Sequence, residues 1–238
     1  MKGLGRRSRF CDAARIGMRQ GRDRATTRHP KSFTYRTNGI DPDFLHPLKE
    51  SEPHRLNEAL PLTVTYAGNL GEGQGLHEIL PELAPRMGDD FRFRIIGDGG
   101  RRLALQAALE ERRITNVELH APVTRRKLVE IYEASDVLFL HLNDYRAFER
   151  VLPSKVFEYA ATGKPIWAGA AGYAAEFIGR EVTNSAVFRP CDVDHAVRVF
   201  KNLALRTSVR STFVAKYDRA QISKALAKDL LSVLTETR

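Results

Sequence analysis

Cysteine is nearly absent: Cys11 and Cys191 are the only two in 238 residues. They lie far apart with no metal-ligand spacing, which argues against a disulfide framework and a cysteine zinc site and fits a reducing cytoplasm. Long apolar runs are missing as well. The longest, Val137 to Leu140 and Ala168 through Ala175, fall well short of the roughly 20 residues of a membrane-spanning helix. No GxSxG nucleophile elbow, no GxGxxG and no Gly-Lys-Ser/Thr phosphate loop occurs, and no two of the seven histidines have zinc-ligand spacing on one helix. Acidic residues are scarce in one place only. Of 38 Lys/Arg and 29 Asp/Glu, residues 1–38 hold 11 and 2, which leaves 27 of each in the remainder. The net charge of +9 therefore belongs to the N-terminal segment, and the rest of the chain is balanced.

What is present reads as four stretches. Residues 1–37 show no sustained hydrophobic period and are rich in arginine, as expected of a basic, disordered tail or the remnant of a missing domain. A nucleic-acid role would rest on that charge alone, with only Phe10, Phe33 and Tyr35 to stack on bases, so no specific nucleic-acid partner is expected. Residues 38–60 read as a linker. From residue 61 to 205, short apolar runs alternate with amphipathic segments of helical length, the pattern of repeated β-α units. Strands are expected at Leu62–Ala67, Phe91–Ile96, Val117–Leu119, Val137–Leu140, Pro165–Ala168 and Ala186–Phe188. Helices are expected at Leu76–Met87, Arg101–Arg112, Arg125–Ala134, Pro153–Thr162, Tyr173–Gly179 and Asp194–Leu205, with a C-terminal helical segment over residues 206–238, from about Arg210 to Thr235. Intervening helices force the strands parallel, so the expected fold is α/β: a Rossmann-like parallel six-stranded sheet with helices on both faces. In such sheets ligands bind beyond the carboxyl ends of the strands.

The first strand is followed by Gly68-Asn69-Leu70-Gly71-Glu72-Gly73-Gln74-Gly75, and the second by Gly97-Asp98-Gly99-Gly100. Glycine lets backbone approach a phosphate closely, and helix starts favour anions; the same runs also make ordinary tight turns. The fourth strand ends at His141, the one histidine positioned for a site role, with core or rim packing as the alternative. An irregular stretch then leads to Leu152-Pro153-Ser154-Lys155-Val156-Phe157-Glu158. Proline suits a first helical turn, and Ser154 and Glu158 then share one face with Lys155 beside them. A carboxylate there could accept hydrogen bonds from two ribose hydroxyls, with Lys155 and the helix start balancing phosphate charge. The alternative is a Lys155–Glu158 surface pair.

In this order, "NGIDPDFLHP", "YAGNLGEGQGL", "IIGDGG", "SDVLFLHL" and "LPSKVFEYAATGKPI" resemble the C-terminal, donor-binding domain of family 4 glycosyltransferases of the bacterial polysaccharide-assembly type, one half of the two-domain GT-B fold. The resemblance runs from Asn38 to about Val199. It implies a retaining transfer of a sugar from a nucleotide-sugar, a UDP-sugar being the expected donor, to an acceptor hydroxyl in polysaccharide or glycoconjugate biosynthesis. It further implies donor contacts at Gly68, Asn69, Gln74, Gly97, Asp98, Gly99, Ser154, Lys155 and Glu158, with the nucleotide-sugar as substrate and no cofactor or metal.

Three positions depart from the family pattern. Asn69 and Gln74 are neutral amides where the family carries arginine and lysine, and Arg150 stands eight places before Glu158 where the family has an acid. Glu149, one residue away, is the candidate catalytic acid. Only 37 residues precede the linker, so the resemblance implies a truncated or split enzyme, active as a transferase or serving as a donor-binding module without activity of its own. The expected partner is a separate chain carrying the N-terminal acceptor domain, and the expected location is the cytoplasm, with peripheral association at the cytoplasmic face of the inner membrane.

Overall fold

The computed structural model describes residues 35–45 and 61–236, with side chains to 232. The expected tail as far as residue 34 and the expected linker over 46–60 lie outside the described residues. Residues 38–221 form one compact unit, and residues 222–236 fall outside it.

Six strands, β1 Leu62–Ala67, β2 Phe91–Ile96, β3 Val117–His120, β4 Val137–His141, β5 Ile166–Gly169 and β6 Ser185–Phe188, make one parallel sheet in the order β3-β2-β1-β4-β5-β6. The α/β, Rossmann-like reading holds. β4 and β5 are buried at every position, as strands covered on both faces must be. β1 pairs with both β2 and β4, so the strand order reverses there and the two crossovers leave a crevice at its carboxyl end.

Eight helices follow among the described residues: α1 Leu76–Met87, α2 Arg102–Glu111, α3 Arg125–Glu133, α4 Lys155–Ala161, α5 Gly172–Glu181, α6 Val193–Phe200, α7 Ser211–Tyr217 and α8 Arg219–Glu236. Leu76, Ile79, Leu80 and Leu83 of α1 recur at the helical period, and all four are buried. With Leu105 and Leu109 of α2 and Ala196 and Phe200 of α6, they belong to the large core cluster that contains Val64, Phe93, Phe139 and Trp167 of the sheet. Phe157 of α4 packs against Phe177 of α5 and against Phe213 and Tyr217 of α7 with ring centroids 5.3–6.2 Å apart. Each such ring contributes about 1.5–3 kcal/mol by burial.

Several helix ends differ from expectation for local reasons. α4 begins at Lys155, leaving Pro153 and Ser154 ahead of it. α6 stops at Phe200, because Leu203 and Leu205 leave the helix to be buried in the core. The expected C-terminal helix is two helices: Asp218 turns extended and accepts hydrogen bonds from the Ala220 and Gln221 N–H groups at 2.7 and 3.2 Å, capping α8.

Two polar clamps fix the ends of the unit. Arg210, 5% exposed, donates to the carbonyls of Ala160, Lys164, Thr183 and Asn184 at 2.7–3.3 Å. Burial pulls this guanidinium down to about 10, so it is charged at neutral pH, and those carbonyl dipoles face its charge. At the other end, Asp41 pairs with Arg125 and, at 2.9 Å, with Arg219, while Ile40 donates to the Tyr217 carbonyl at 2.7 Å and bridges Asp218 in parallel. Burial pushes the Asp41 carboxyl up. The Asp43 N–H and the two arginines prevail and hold it below the usual carboxylate range.

Candidate functional site

The two glycine-rich turns meet each other. Gly68 donates to the Ile96 carbonyl, Leu70 to that of Asp98, and Arg101 to that of Leu70, each at 2.8 Å. Gly97 has φ +143°, and a methyl group there would strike the Gly68 carbonyl. Glycine is thus required at 97 by its partner turn, and the pair of turns forms one ledge over the ends of β1 and β2. The far side of the first turn hangs on β4. His141, 1% exposed, sits 2.7 Å from the Gln74 carbonyl through Nδ1, and its Nε2 accepts the Cys191 N–H at 3.0 Å. These partners fix the neutral Nδ1–H tautomer, and burial pulls the imidazole down to about 4. The next buried polar residue, Asn143, donates to the Glu72 carbonyl at 2.9 Å through its amide and to that of Gly73 at 2.8 Å through its N–H.

Asn69 and Gln74 face each other. The Asn69 amide donates to Gln74 Oε1 at 2.9 Å, and the same oxygen accepts the Gly71 N–H at 3.3 Å. Their neutrality closes the turn with a side-chain bond that an arginine and a lysine could not make.

The start of α4 supplies the charge. Lys155 reaches back over β1 so closely that a methyl group on Gly68 would overlap its ammonium, and Nζ stands 5.4 Å from the centre of the Tyr66 ring. Glu158 lies one helical turn on, and both residues are half-buried with no ion pair within 4 Å among the described residues. Burial pulls the Lys155 ammonium down against the opposing charge of Glu158, and burial pushes the Glu158 carboxyl up against Lys155 and Arg125. A solvated surface pair would show neither effect. Both charged groups are therefore partly shielded from water at the crevice.

The other expected residues are placed differently. Ser154 is exposed and caps nothing. The exposed Asp98 turns its carboxylate onto the N–H of Gly99 at 2.8 Å. Glu149 and Arg150 are exposed on a short 3-10 turn, Arg146–Arg150. That turn is seated between Gly73, against the Phe148 ring, and Gly172, against the Glu149 backbone.

Three carboxylate groupings invite a metal reading. Asp41-Pro42-Asp43 and Asp192-Val193-Asp194 both spell Asp-x-Asp. Asp41 is occupied by two arginines, and Asp192 caps α6 through the His195 N–H at 2.8 Å. Glu72, His77 and Glu78 form a third group. Glu72 already pairs with Arg101 and accepts the Tyr145 hydroxyl. His77 Nδ1 is buried without a hydrogen-bond partner among the described residues. Ligation through Nε2 would leave a proton there with no acceptor, where metal-bound histidine normally donates. The grouping fits a local ion-pair cluster better than a metal centre.

Residues 49–216 match the family model "Glycosyl transferases group 1". WcaI of Escherichia coli strain K12, named as a colanic acid biosynthesis glycosyl transferase, is 31% identical over 101 residues, 42% of this chain and 24% of that protein. Among solved structures, a glycosyltransferase from Rickettsia africae superposes with a TM-score of 0.61 at 14% identity, covering 83% of this chain and 56% of that one. HepE of Anabaena, in complex with UDP and glucose, gives 0.56 at 20% identity, covering 74% and 50%. These two likenesses show the fold. The chain spans about a quarter of the curated relative and about half of these structures. With more than half of its residues inside the family model, the chain belongs to the group 1 glycosyl transferases.

Proposed function

We propose that the chain binds a nucleotide-sugar donor, a UDP-sugar, in the crevice between β1 and β4 and serves the retaining transfer of its sugar to an acceptor hydroxyl in polysaccharide or glycoconjugate assembly. The Lys155 ammonium lodged against Gly68 carries this reading: a half-buried cation at the switch point of the sheet, with no ion pair within 4 Å among the described residues. The starts of α1 and α2 border the same ledge without side-chain caps, leaving their N–H dipoles available to an anion. The HepE structure, which holds UDP and glucose, is consistent with this choice of donor.

In this mechanism the glycosidic bond to the diphosphate lengthens first, and negative charge accumulates on the leaving phosphate while the sugar becomes oxocarbenium-like. Lys155 meets that charge with an ammonium that needs no reorganisation, since packing already fixes it. Glu158 accepts hydrogen bonds from two ribose hydroxyls and sets the register of the nucleotide. Asn69 and Gln74 keep the ledge closed beneath the phosphates. Glu149 and Arg150, exposed on their turn, are assigned to the transferred sugar in this reading.

Calorimetry with UDP tests the site. Glu158→Ala should weaken binding by about 10- to 100-fold, the scale of hydrogen bonds to a charged acceptor, and unchanged affinity would remove the ribose role. A second reading, a donor-binding module with no turnover by itself, rests on Arg150 standing where the family pattern carries an acid. Donor hydrolysis and transfer assays with and without a partner acceptor domain separate the two, because only the module is silent alone.

A further inference from the structure

We infer that Tyr66 is the positioning residue of this site, holding the Lys155 ammonium with its ring and the glycine ledge with its hydroxyl. The inference rests on the donor reading above and adds a residue to which the resemblance assigns no role. Tyr66 is the penultimate residue of β1 and 1% exposed. Its hydroxyl donates to the Asn69 carbonyl at 2.7 Å, so the first residue after Gly68 is tied back to the strand. Its ring lies under Lys155 Nζ at 5.4 Å, within reach of a cation–π attraction that grows as water is removed. No carboxylate stands within 4 Å of that ammonium among the described residues.

A neutral partner has a specific advantage here. A carboxylate touching Lys155 would cancel the charge that a diphosphate is to meet, whereas an aromatic face holds the cation in place and leaves its field intact. Asn69 in turn holds Gln74, whose oxygen takes the Gly71 N–H. One buried side chain thus anchors both the cation and the backbone around it. Tyr159 accepts the Ala67 N–H at 3.3 Å, a bond to the strand rather than to the turn.

Calorimetry with UDP and with uridine, on the full chain, tests the assignment. Tyr66→Phe keeps the ring and loses the carbonyl anchor, and should weaken UDP by roughly fivefold. Tyr66→Leu loses both and should weaken it by roughly tenfold or more, while uridine, lacking phosphates, binds as to the wild type. In a Lys155→Met background, Tyr66→Leu should add much less than it does alone. Wild-type UDP affinity in both single variants overturns the inference, as does an equal loss for UDP and uridine. Failure of the donor reading looks different, since the wild-type chain would then bind neither ligand. In that case amide exchange at residues 69–74 still decides: faster exchange in Tyr66→Phe supports the anchor, and unchanged exchange overturns it.

Discussion

At the scale of single residues, the sequence marks the charged members of the site more readily than the neutral ones that hold them. Lys155 and Glu158 are legible because a helix start after a strand is where such groups act. Tyr66 and Asn143 read as strand and loop residues, and His141 as a strand-end candidate with no visible partner, since their work depends on partners far along the chain. His141 shows how such a residue can be tested. Its imidazole is ordinary at 6.5 when unfolded and pulled down to about 4 by burial in the folded protein. Between those values the unfolded state binds the extra proton, so stability is fully present above about 6.5 and is lost as the pH falls toward 4. Urea denaturation across that range should show a decline of up to about 3 kcal/mol from this group. A native-state NMR titration of His141 near 6.5 would contradict the assignment.

At the scale of elements, the hydrophobic period located every strand and most helices, because burial on both sheet faces leaves little freedom in where apolar runs lie. The glycine runs were harder to read. As separate turns each suggests a phosphate cradle; their contact with one another is invisible until β1 and β2 are set side by side. Gly97→Ala places a side chain at φ +143° and into the Gly68 carbonyl, and should cost about 2–4 kcal/mol of stability by thermal denaturation. A loss below 0.5 kcal/mol, on the order of an ordinary surface change, would mean that the turns separate freely. The same holds in reverse for the C-terminal stretch, where periodicity suggested one helix and Asp218 breaks it in two.

At the scale of the whole molecule, a ligand that binds only the folded state adds stability by mass action. At a concentration about 100 times its dissociation constant, UDP should contribute about 2.7 kcal/mol, a rise in melting temperature of roughly 5–10 °C for a unit of this size. Thermal shift with UDP against uridine is the direct check, and an unmoved transition at saturating UDP would speak against the site. The Asp41 clamp has a mechanical consequence. Ile40 bridges Asp218, and Arg219 reaches back to Asp41, so the chain crosses the boundary of this unit at two neighbouring points, one on entry and one on exit. One carboxylate thus latches both crossings, and loss of the Asp41 side chain would release the first and last segments of this unit together.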